Sequence, residues 1–192
     1  MNAAKRYARG ISPDPVKREK DDFYPTPRRG TEALLAVESF SGSIWEPACG
    51  DGAISDVLDE YYPGQVWSTD LVARGYGLDE VDFLGPCAPA NSVDHIITNP
   101  PFKYAEKFAE LALIRARSKV ALLLRLSWLE GAKRRKLFES TPLARVWVFS
   151  SRLSIGRGAA RDMGKGGGGM IAFAWFVWDK EHKGPPVLGW LP

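Results

Sequence analysis

The hydrophobic residues of this chain fall into two kinds of segment, short apolar runs and longer stretches with a helical period. The apolar runs have the length of strands, and they predict β-strands over 43–46, 66–70, 93–98, 119–126, 145–149 and 172–178. Apolar side chains at three- and four-residue intervals predict helices over 31–40, 53–62, 103–115 and 132–140. Because strands and helices alternate, we expect an α/β sandwich built on a mostly parallel sheet.

The connection between the last two predicted strands is a Gly- and Arg-rich loop over 150–170 with no helical pattern. Without a crossover helix, the strand over 172–178 is expected to run antiparallel to its neighbour. A further strand could lie near Asp82 and Phe83. The sequence therefore predicts a seven-stranded, mostly parallel sheet with an antiparallel last strand and helices on both faces.

The composition is typical of one folded domain. Of the 192 residues, 45% are hydrophobic and 26% are charged, which is enough apolar material for one sizeable core. Residues 1–22 mix charge, Pro and Gly without hydrophobic periodicity, and we expect them to form a flexible basic arm. A single domain then spans 23–192, and its 150–170 loop is expected to be mobile.

The cysteines and the N-terminus predict a cytoplasmic protein. Cys49 and Cys87 are too few for a disulfide scaffold, and the first residues lack the apolar stretch of a secretory signal. No apolar run approaches the roughly 20 residues that cross a bilayer. His95 and His182 lie far from each other in the sequence, so we expect no metal site.

The segment 46–52, with the sequence EPACGDG, joins the first predicted strand to its helix. Open α/β sheets bind nucleotides at this position. Gly50 and Gly52 can adopt a positive φ and let the backbone approach a ligand closely. A dinucleotide-binding loop would carry a third glycine, whereas Ala-Ile-Ser follows here. The segment favours an adenosyl group with an amino-acid portion, although an ordinary tight turn could carry the same glycines.

Acidic residues further along the chain fit the same ligand. Asp70 ends the second predicted strand roughly 20 residues beyond the glycines, where a carboxylate can accept hydrogen bonds from both ribose hydroxyls. Asp82 could accept from an adenine amino group, and Phe83 could pack on the adenine ring. The alternative for Asp70 is a solvated acid at a strand end. The order of these residues after the glycine segment favours the nucleoside site.

The sequence Asn99-Pro100-Pro101-Phe102 follows the strand over 93–98 and predicts the site of the chemistry. Two prolines make this backbone stiff and extended. An amino group on an aromatic base is a poor nucleophile, because its lone pair is delocalised into the ring. The Asn99 side-chain oxygen and the Pro100 carbonyl could accept its N–H groups and direct the lone pair at a methyl donor. Phe102 could stack on the base, or it could belong to the core of a merely stiff turn.

These motifs resemble those of the amino-methyltransferases that use S-adenosylmethionine, whose signature is D/N-P-P-F/Y/W. The segment 23–27 (FYPTP) looks like the N-terminal cofactor motif of that family, 46–52 like its glycine loop and 99–102 like its catalytic motif. The resemblance extends from Asp22 to about Trp178, and the motif order is similar to the gamma arrangement of adenine-N6 methyltransferases. Without a separate target-recognition domain, the chain looks most like the compact enzymes of phages and mobile elements.

The resemblance implies a class I, Rossmann-like methyltransferase fold, S-adenosylmethionine as cofactor, and methyl transfer to an exocyclic nucleobase nitrogen, adenine N6 in DNA first of all. The catalytic residues would be Asn99, Pro100, Pro101 and Phe102. The cofactor-binding residues would be Phe23, Tyr24, Thr26, Glu46, Ala48, Gly50, Gly52, Asp70, Leu71, Asp82, Phe83 and Asn99.

A nucleic-acid substrate also needs phosphate contacts, because the target base must be flipped out or single-stranded to reach Asn99. The candidates for these contacts are Arg125, Lys133, Arg134, Arg135, Arg152, Arg157, Arg161 and Lys165. The basic run over 133–136 could equally be a solvated helix face.

Other functions stay open from the sequence. The same catalytic motif serves guanine N2 or adenine N6 in RNA and the side-chain amide of glutamine in proteins. The basic clusters argue against a protein substrate, and the 23–27 motif favours adenine in DNA. A non-catalytic nucleic-acid-binding module on the same fold is a further alternative, which turnover of S-adenosylmethionine would exclude.

Overall fold

The structure is a computed structural model, and it describes residues 23–153, 155 and 171–192. The predicted arm over 1–22 and most of the predicted loop over 150–170 lie outside these residues. The helices are α1 (Arg28–Leu35), α2 (Ser55–Tyr61), α3 (Ala105–Arg115) and α4 (Ala132–Ser140). The strands are β1 (Ile44–Glu46), β2 (Val66–Ser68), β3 (Val93–Thr98), β4 (Ala116–Arg125), β5 (Leu143–Phe149), β6 (Phe173–Asp179) and β7 (Val187–Leu191).

All seven strands form one sheet in the order β2-β1-β3-β4-β6-β5-β7. The pairs are parallel except those that β6 makes with β4 and β5, which are antiparallel. The mostly parallel seven-stranded sheet is confirmed, and the strand predicted over 172–178 is the antiparallel one. That strand is not the last of the chain, however, because β7 follows it and runs parallel to β5.

The seventh strand is not the one expected from the sequence. Asp82 and Phe83 lie at a turn, in which the N–H of Gly85 donates to the Asp82 carbonyl at 3.0 Å. The missing strand is supplied by β7 at the far edge of the sheet. Its side chains are largely exposed, with Trp190 at 67%, although four of its five residues are apolar.

The two faces of the sheet carry separate cores. Along β4, Leu122 and Leu124 face one core, and Ala121 and Leu123 face the other. This alternation follows from the two-residue repeat of a strand. The first core contains the apolar side of α3, and the second contains residues of α1 and α2. The predicted arrangement of helices on both faces is therefore confirmed.

Helix α1 lies three residues earlier in the chain than predicted and ends at Leu35, before residue 40. Its first residue, Arg28, is held by Glu32 one turn later, with 2.7 Å between Nε and Oε1. Beyond the helix, Glu38 turns inward and forms ion pairs with Lys119, at 3.1 Å, and with Arg145. Among the helices of the described residues, none is long and apolar enough to span a membrane.

The parallel strands β1, β3 and β4 end at Glu46, Thr98 and Arg125, at the same edge of the sheet. The glycine segment leaves the sheet after β1, and the Asn99 segment leaves it after β3. Because β1 and β3 are neighbours, the two segments emerge side by side.

Candidate active site

A cavity of about 600 Å³ lies at this carboxyl edge. Its volume is in the range of pockets that enclose a small molecule. It brings together most of the residues that the sequence assigns to the cofactor and the chemistry, namely Phe23, Tyr24, Thr26, Glu46, Ala48, Gly50, Asp70, Leu71, Asp82, Phe83, Asn99 and Pro101. Gly52, Pro100 and Phe102 are adjacent in the chain but do not line it.

Asp70 connects the glycine segment to the loop after β2. Its Oδ2 accepts a hydrogen bond from the backbone N–H of Gly50 at 2.8 Å, and its Oδ1 accepts one from Val72 at 2.8 Å. An ionised carboxylate has about four acceptor positions, so both oxygens can take a further donor. Asp70 can therefore shape the loop and also accept hydrogen bonds from ligand hydroxyls.

Replacing Asp70 with Ala should weaken the binding of S-adenosylmethionine by about 1.5–3 kcal/mol, or roughly 10- to 150-fold in Kd. The expected loss arises because the ligand hydroxyls and the Gly50 N–H lose a charged acceptor. Asp70→Asn should lose less, since one carbonyl oxygen remains. Calorimetric titration measures both, with thermal unfolding as the folding control. An unchanged Kd in folded Asp70→Ala would remove Asp70 from the cofactor site.

The two glycines of the segment have different surroundings. Both have a positive φ, 58° for Gly50 and 86° for Gly52. A Cβ on Gly50 would lie 2.6 Å from a ring carbon of Phe23, at the wall of the cavity. A Cβ on Gly52 would lie 2.3 Å from a ring carbon of Tyr76. Packing of Tyr76 thus requires a glycine at 52, and contact of Gly52 with a cofactor stays a prediction.

Glu46 is a buried acid in the cavity wall, with 1% of its surface exposed. Burial raises the pKa of Glu46 to about 8, against the opposing effect of a hydrogen bond from the Ser55 hydroxyl. The nearby carboxylates of Asp70 and Asp51 raise this pKa further. The Glu46 carboxyl is therefore mostly protonated at neutral pH, and it can ionise when a cation such as an α-ammonium group approaches.

Phe83 and Asp82 also line the cavity. Phe83 is 2% exposed, and its ring packs between those of Trp45 and Phe108, with centroids 5.1 and 4.7 Å away. It is both a core residue and part of the cavity lining. Asp82 is exposed, and its Oδ1 accepts the backbone N–H of Leu84 at 2.9 Å.

Arg115, which the sequence analysis missed, holds the loop that carries Phe83. It lies at the end of α3, is 4% exposed, and donates hydrogen bonds to the carbonyls of Phe83, of Gly85 at 2.7 Å and of Ala88 at 3.2 Å. Its sequence signal is only a basic residue in the last turn of a helix, which is a common surface feature. Its role depends on contacts with residues about 30 positions earlier.

The side chain of Asn99 is oriented by two hydrogen bonds from its amide nitrogen. Nδ2 donates to the backbone carbonyl of Tyr24 at 3.0 Å and to the hydroxyl of Thr26 at 3.1 Å. The Tyr24 carbonyl can only accept, which fixes the orientation of the amide. Oδ1 is buried and accepts no hydrogen bond from any residue that the structure describes. An unsatisfied buried acceptor costs about 1–3 kcal/mol, so this atom is available to a hydrogen-bond donor of a ligand.

Phe102 lies behind the cavity wall. Its ring stacks with that of Tyr24 at 5.8 Å and packs against that of Phe173 at 5.8 Å. The guanidinium of Arg125 lies 4.5 Å from the centre of the ring. The ring thereby ties the 23–27 segment to the end of β4, and stacking of Phe102 on a substrate base stays a prediction.

Arg74, Lys103, Tyr104 and Phe108 are among the further residues that line the cavity without having been predicted. Arg74 places its guanidinium 4.4 Å from the centre of the Phe23 ring. Lys103 and Tyr104 directly follow the 99–102 motif, so adjacency in the chain could have indicated them. Arg74 has no such signal, because it lies in an irregular loop.

Cys49 also lines the cavity. Burial raises the pKa of its thiol to about 12, with smaller upward effects of Glu46 and Asp70. A thiol with this pKa stays protonated at neutral pH and is a poor nucleophile. In the described ranges, His, Cys, Asp and Glu form no group of three or more that could hold a metal ion.

The predicted nucleic-acid contacts divide into three groups. Arg125 and Arg134 are half-buried and line a second cavity beside the first. Lys133, Arg135 and Arg152 are exposed on the surface. The remaining candidates lie outside the described residues: Arg157, Arg161 and Lys165.

The sequence matches no family model and no curated protein. The fold, in contrast, is similar to many solved structures. The modification subunit of an inferred type I restriction enzyme from Vibrio vulnificus YJ016 has a TM-score of 0.62 at 14% identity, over 96% of this chain and 49% of that one. An inferred RNA methyltransferase from Pyrococcus horikoshii has a TM-score of 0.61 at 14% identity, over 93% of this chain and 99% of that one.

The M protein of the type I restriction enzyme EcoKI has a TM-score of 0.59 at 13% identity, over 81% of this chain and 43% of that one. The present chain thus spans less than half of the length of each restriction-enzyme subunit, 49% of the Vibrio subunit and 43% of the EcoKI subunit. At such low identity, the likeness concerns the fold. The chain has the fold of the class I methyltransferases.

Proposed function

We propose that this protein transfers a methyl group from S-adenosylmethionine to an exocyclic amino nitrogen of a nucleobase, with adenine N6 in DNA as the acceptor. The observation that carries this proposal is the hydrogen bonding of the Asn99 side chain. Its amide nitrogen is fully engaged by Tyr24 and Thr26, and its buried Oδ1 has no donor among the described residues. An N–H of a substrate amino group would supply the donor that this oxygen lacks.

The residues of the larger cavity fit the cofactor. Asp70 would accept the ribose hydroxyls, because its two oxygens point into the turn that Gly50 opens. Glu46 would take the α-ammonium group, since a buried carboxyl with a raised pKa gains a counter-ion in this way. Asp82 and Phe83 would receive the adenine, with an acceptor and an apolar wall. The bound cofactor supplies an electrophilic methyl group.

Asn99 would then act on the nucleophile. Its Oδ1 and the carbonyl of Pro100 would accept the two N–H groups of the target amine, which favours a pyramidal nitrogen with its lone pair directed at the methyl carbon. The bound cofactor would supply the methyl group and leave as a neutral thioether, and the amine would release one N–H proton to solvent. Hydrogen bonds that strengthen in the transition state accelerate the chemical step.

A nucleic-acid acceptor is favoured by the charge at the carboxyl edge. Arg125, Lys103 and Arg134 surround the second cavity next to the Asn99 segment. DNA is favoured by the 23–27 motif and by the similarity of the fold to restriction-modification subunits. RNA is the second candidate, because the fold is equally similar to an inferred RNA methyltransferase. The motif also suits the amide of a protein glutamine, but that acceptor would leave these cations without a role.

The test is transfer of a labelled methyl group from S-adenosylmethionine to separate DNA, RNA and protein fractions. We expect the label in DNA. Label in the RNA or protein fraction would show that the substrate belongs to that class, and the methyltransferase activity would still be supported. Tight cofactor binding without label in any fraction would favour the non-catalytic nucleic-acid-binding module.

A further inference from the structure

A second cavity, of about 210 Å³, lies beside the larger one. Phe102 and Lys103 separate the two, and Lys103 lines both. Arg125, Ser127, Trp128 and Arg134 form much of the remaining wall. The volume is below the range typical of pockets that enclose a whole small molecule, and it suits a single polar group.

The described residues that line this cavity carry only positive charge. They include the cations of Lys103, Arg125 and Arg134, and none of them is a carboxylate. Within residues 23–153, 155 and 171–192, neither Arg125 nor Arg134 forms an ion pair. On the same sheet, by contrast, the half-buried guanidinium of Arg145 pairs with two carboxylates. Two neighbouring arginines without counter-ions among the described residues favour binding of an anion.

The guanidinium groups of the two arginines are held in place, but some of their hydrogen-bond donors have no acceptor among the described residues. The Arg125 guanidinium lies over the Phe102 ring, and its Nε is buried with no hydrogen-bond partner among the described residues. Arg134 uses its Nε to donate to the carbonyl of Glu130 at 2.5 Å, which fixes the guanidinium. The terminal nitrogens of both groups remain suited to the forked hydrogen bonds that arginine makes with phosphate.

The position of the cavity relates it to the proposed reaction. Asn99 follows β3 and Arg125 ends β4, and these strands are parallel neighbours, with Thr98 opposite Leu122. Both residues therefore lie at the same edge of the sheet, and the ring of Phe102, three residues after Asn99, packs against the Arg125 guanidinium. An anion in the second cavity would lie next to an amine held by Asn99.

We propose that the second cavity binds one phosphodiester group of the substrate strand, adjacent to the nucleotide whose base enters the larger cavity. Arg125 and Arg134 hold the phosphate, and the hydroxyl of Ser127 is available as a further donor. This inference rests on the proposed function in that the substrate is a nucleic acid. Binding a phosphate here fixes the backbone beside the target and contributes to holding the base out of a stack.

The test measures binding of a single-stranded DNA oligonucleotide with one adenine, by fluorescence anisotropy over a series of salt concentrations. Arg125→Gln and Arg134→Gln should each raise Kd about 10- to 100-fold. Each should also lower the slope of log K against log salt by about 0.7, the value for one lost phosphate contact on a single strand. Arg117→Gln is the matched control, because Arg117 pairs with Asp94 at 2.8 Å, lies near the start of β4 and does not line the cavity.

A second measurement uses the unaltered protein. A neutral methylphosphonate replaces the phosphates of the oligonucleotide one at a time. A methylphosphonate at one position beside the adenine should raise the Kd of the wild type by the same factor as the arginine substitutions. The same methylphosphonate should leave the Kd of the Arg134→Gln variant unchanged. Equal effects of Arg134→Gln and Arg117→Gln, or a wild type that tolerates every methylphosphonate, would overturn the phosphate site.

Methyl transfer, measured separately, distinguishes this inference from the proposed function. A protein that binds the oligonucleotide as described but transfers no methyl group would contradict the function and retain the phosphate site. A protein that methylates DNA, with the same Kd in Arg125→Gln, Arg134→Gln and wild type, would contradict the phosphate site alone.

Discussion

Asn99→Ala should lower the rate of methyl transfer about 100- to 1000-fold, the effect of losing one transition-state hydrogen bond of about 2.7–4 kcal/mol. The substitution removes Oδ1, the buried acceptor that has no donor among the described residues. It also removes the two hydrogen bonds to Tyr24 and Thr26, so a purely positional effect must be separated from a chemical one. Single-turnover rates with saturating cofactor and DNA measure the chemical step.

Thr26→Val provides this separation. It keeps the shape of the side chain and removes one anchor of the Asn99 amide, but it leaves Oδ1 in place. We expect a loss of about 0.5–1.5 kcal/mol, or roughly 2- to 12-fold in rate. If Thr26→Val were as slow as Asn99→Ala, the amide would only position the 23–27 segment. If folded Asn99→Ala retained the wild-type rate, Asn99 would have no catalytic role.

Glu46→Gln should change the dependence of stability on pH. The pKa of Glu46 is raised from 4.5 to about 8 by burial, so the folded protein retains a proton that the unfolded chain has lost between these values. The Glu46 contribution to the free energy of unfolding is therefore fully present below pH 4.5. It decreases by up to about 1.4 kcal/mol per pH unit as the pH rises toward 8.

Glutamine stays neutral and can still accept the Ser55 hydroxyl hydrogen bond. Urea unfolding of wild type and Glu46→Gln across the interval from pH 4.5 to 8 measures the difference. The variant should gain stability relative to wild type with each step upward in pH. Parallel curves across this interval would show that Glu46 ionises normally, and its assignment as the ammonium partner would lose its basis.

The central strands could be predicted from the sequence because they are buried on both faces. Strand β6 and the second half of β4 are continuous apolar runs, and such runs are typical of strands in a covered sheet. Strand β7 was missed although its residues, VLGWL, are mostly apolar. It is short and contains Gly189, and glycine is depleted in strands, so its signal is weaker than that of the central strands.

The location of the site could be predicted from chain order. Asp70 and Asn99 each follow a parallel strand, and parallel strands bring their carboxyl ends to one edge. The hydrogen bonds within the site could not be predicted, because they join residues that are distant in the sequence. The hydrogen bond from Asn99 to Tyr24 joins residues 75 positions apart, and the hydrogen bond from Arg115 to Phe83 joins residues 32 positions apart. Pattern and spacing carry no information about such pairs.

The identity of the methylated nucleoside tests the central claim most directly. DNA is incubated with the protein and S-adenosylmethionine, digested to nucleosides and analysed by mass spectrometry. The proposed function predicts N6-methyldeoxyadenosine, and the Asn99 geometry predicts no product when the adenine is replaced by a purine that lacks the exocyclic amino group. A methyl group on a ring nitrogen, on carbon, or on the purine without an amino group would contradict the account.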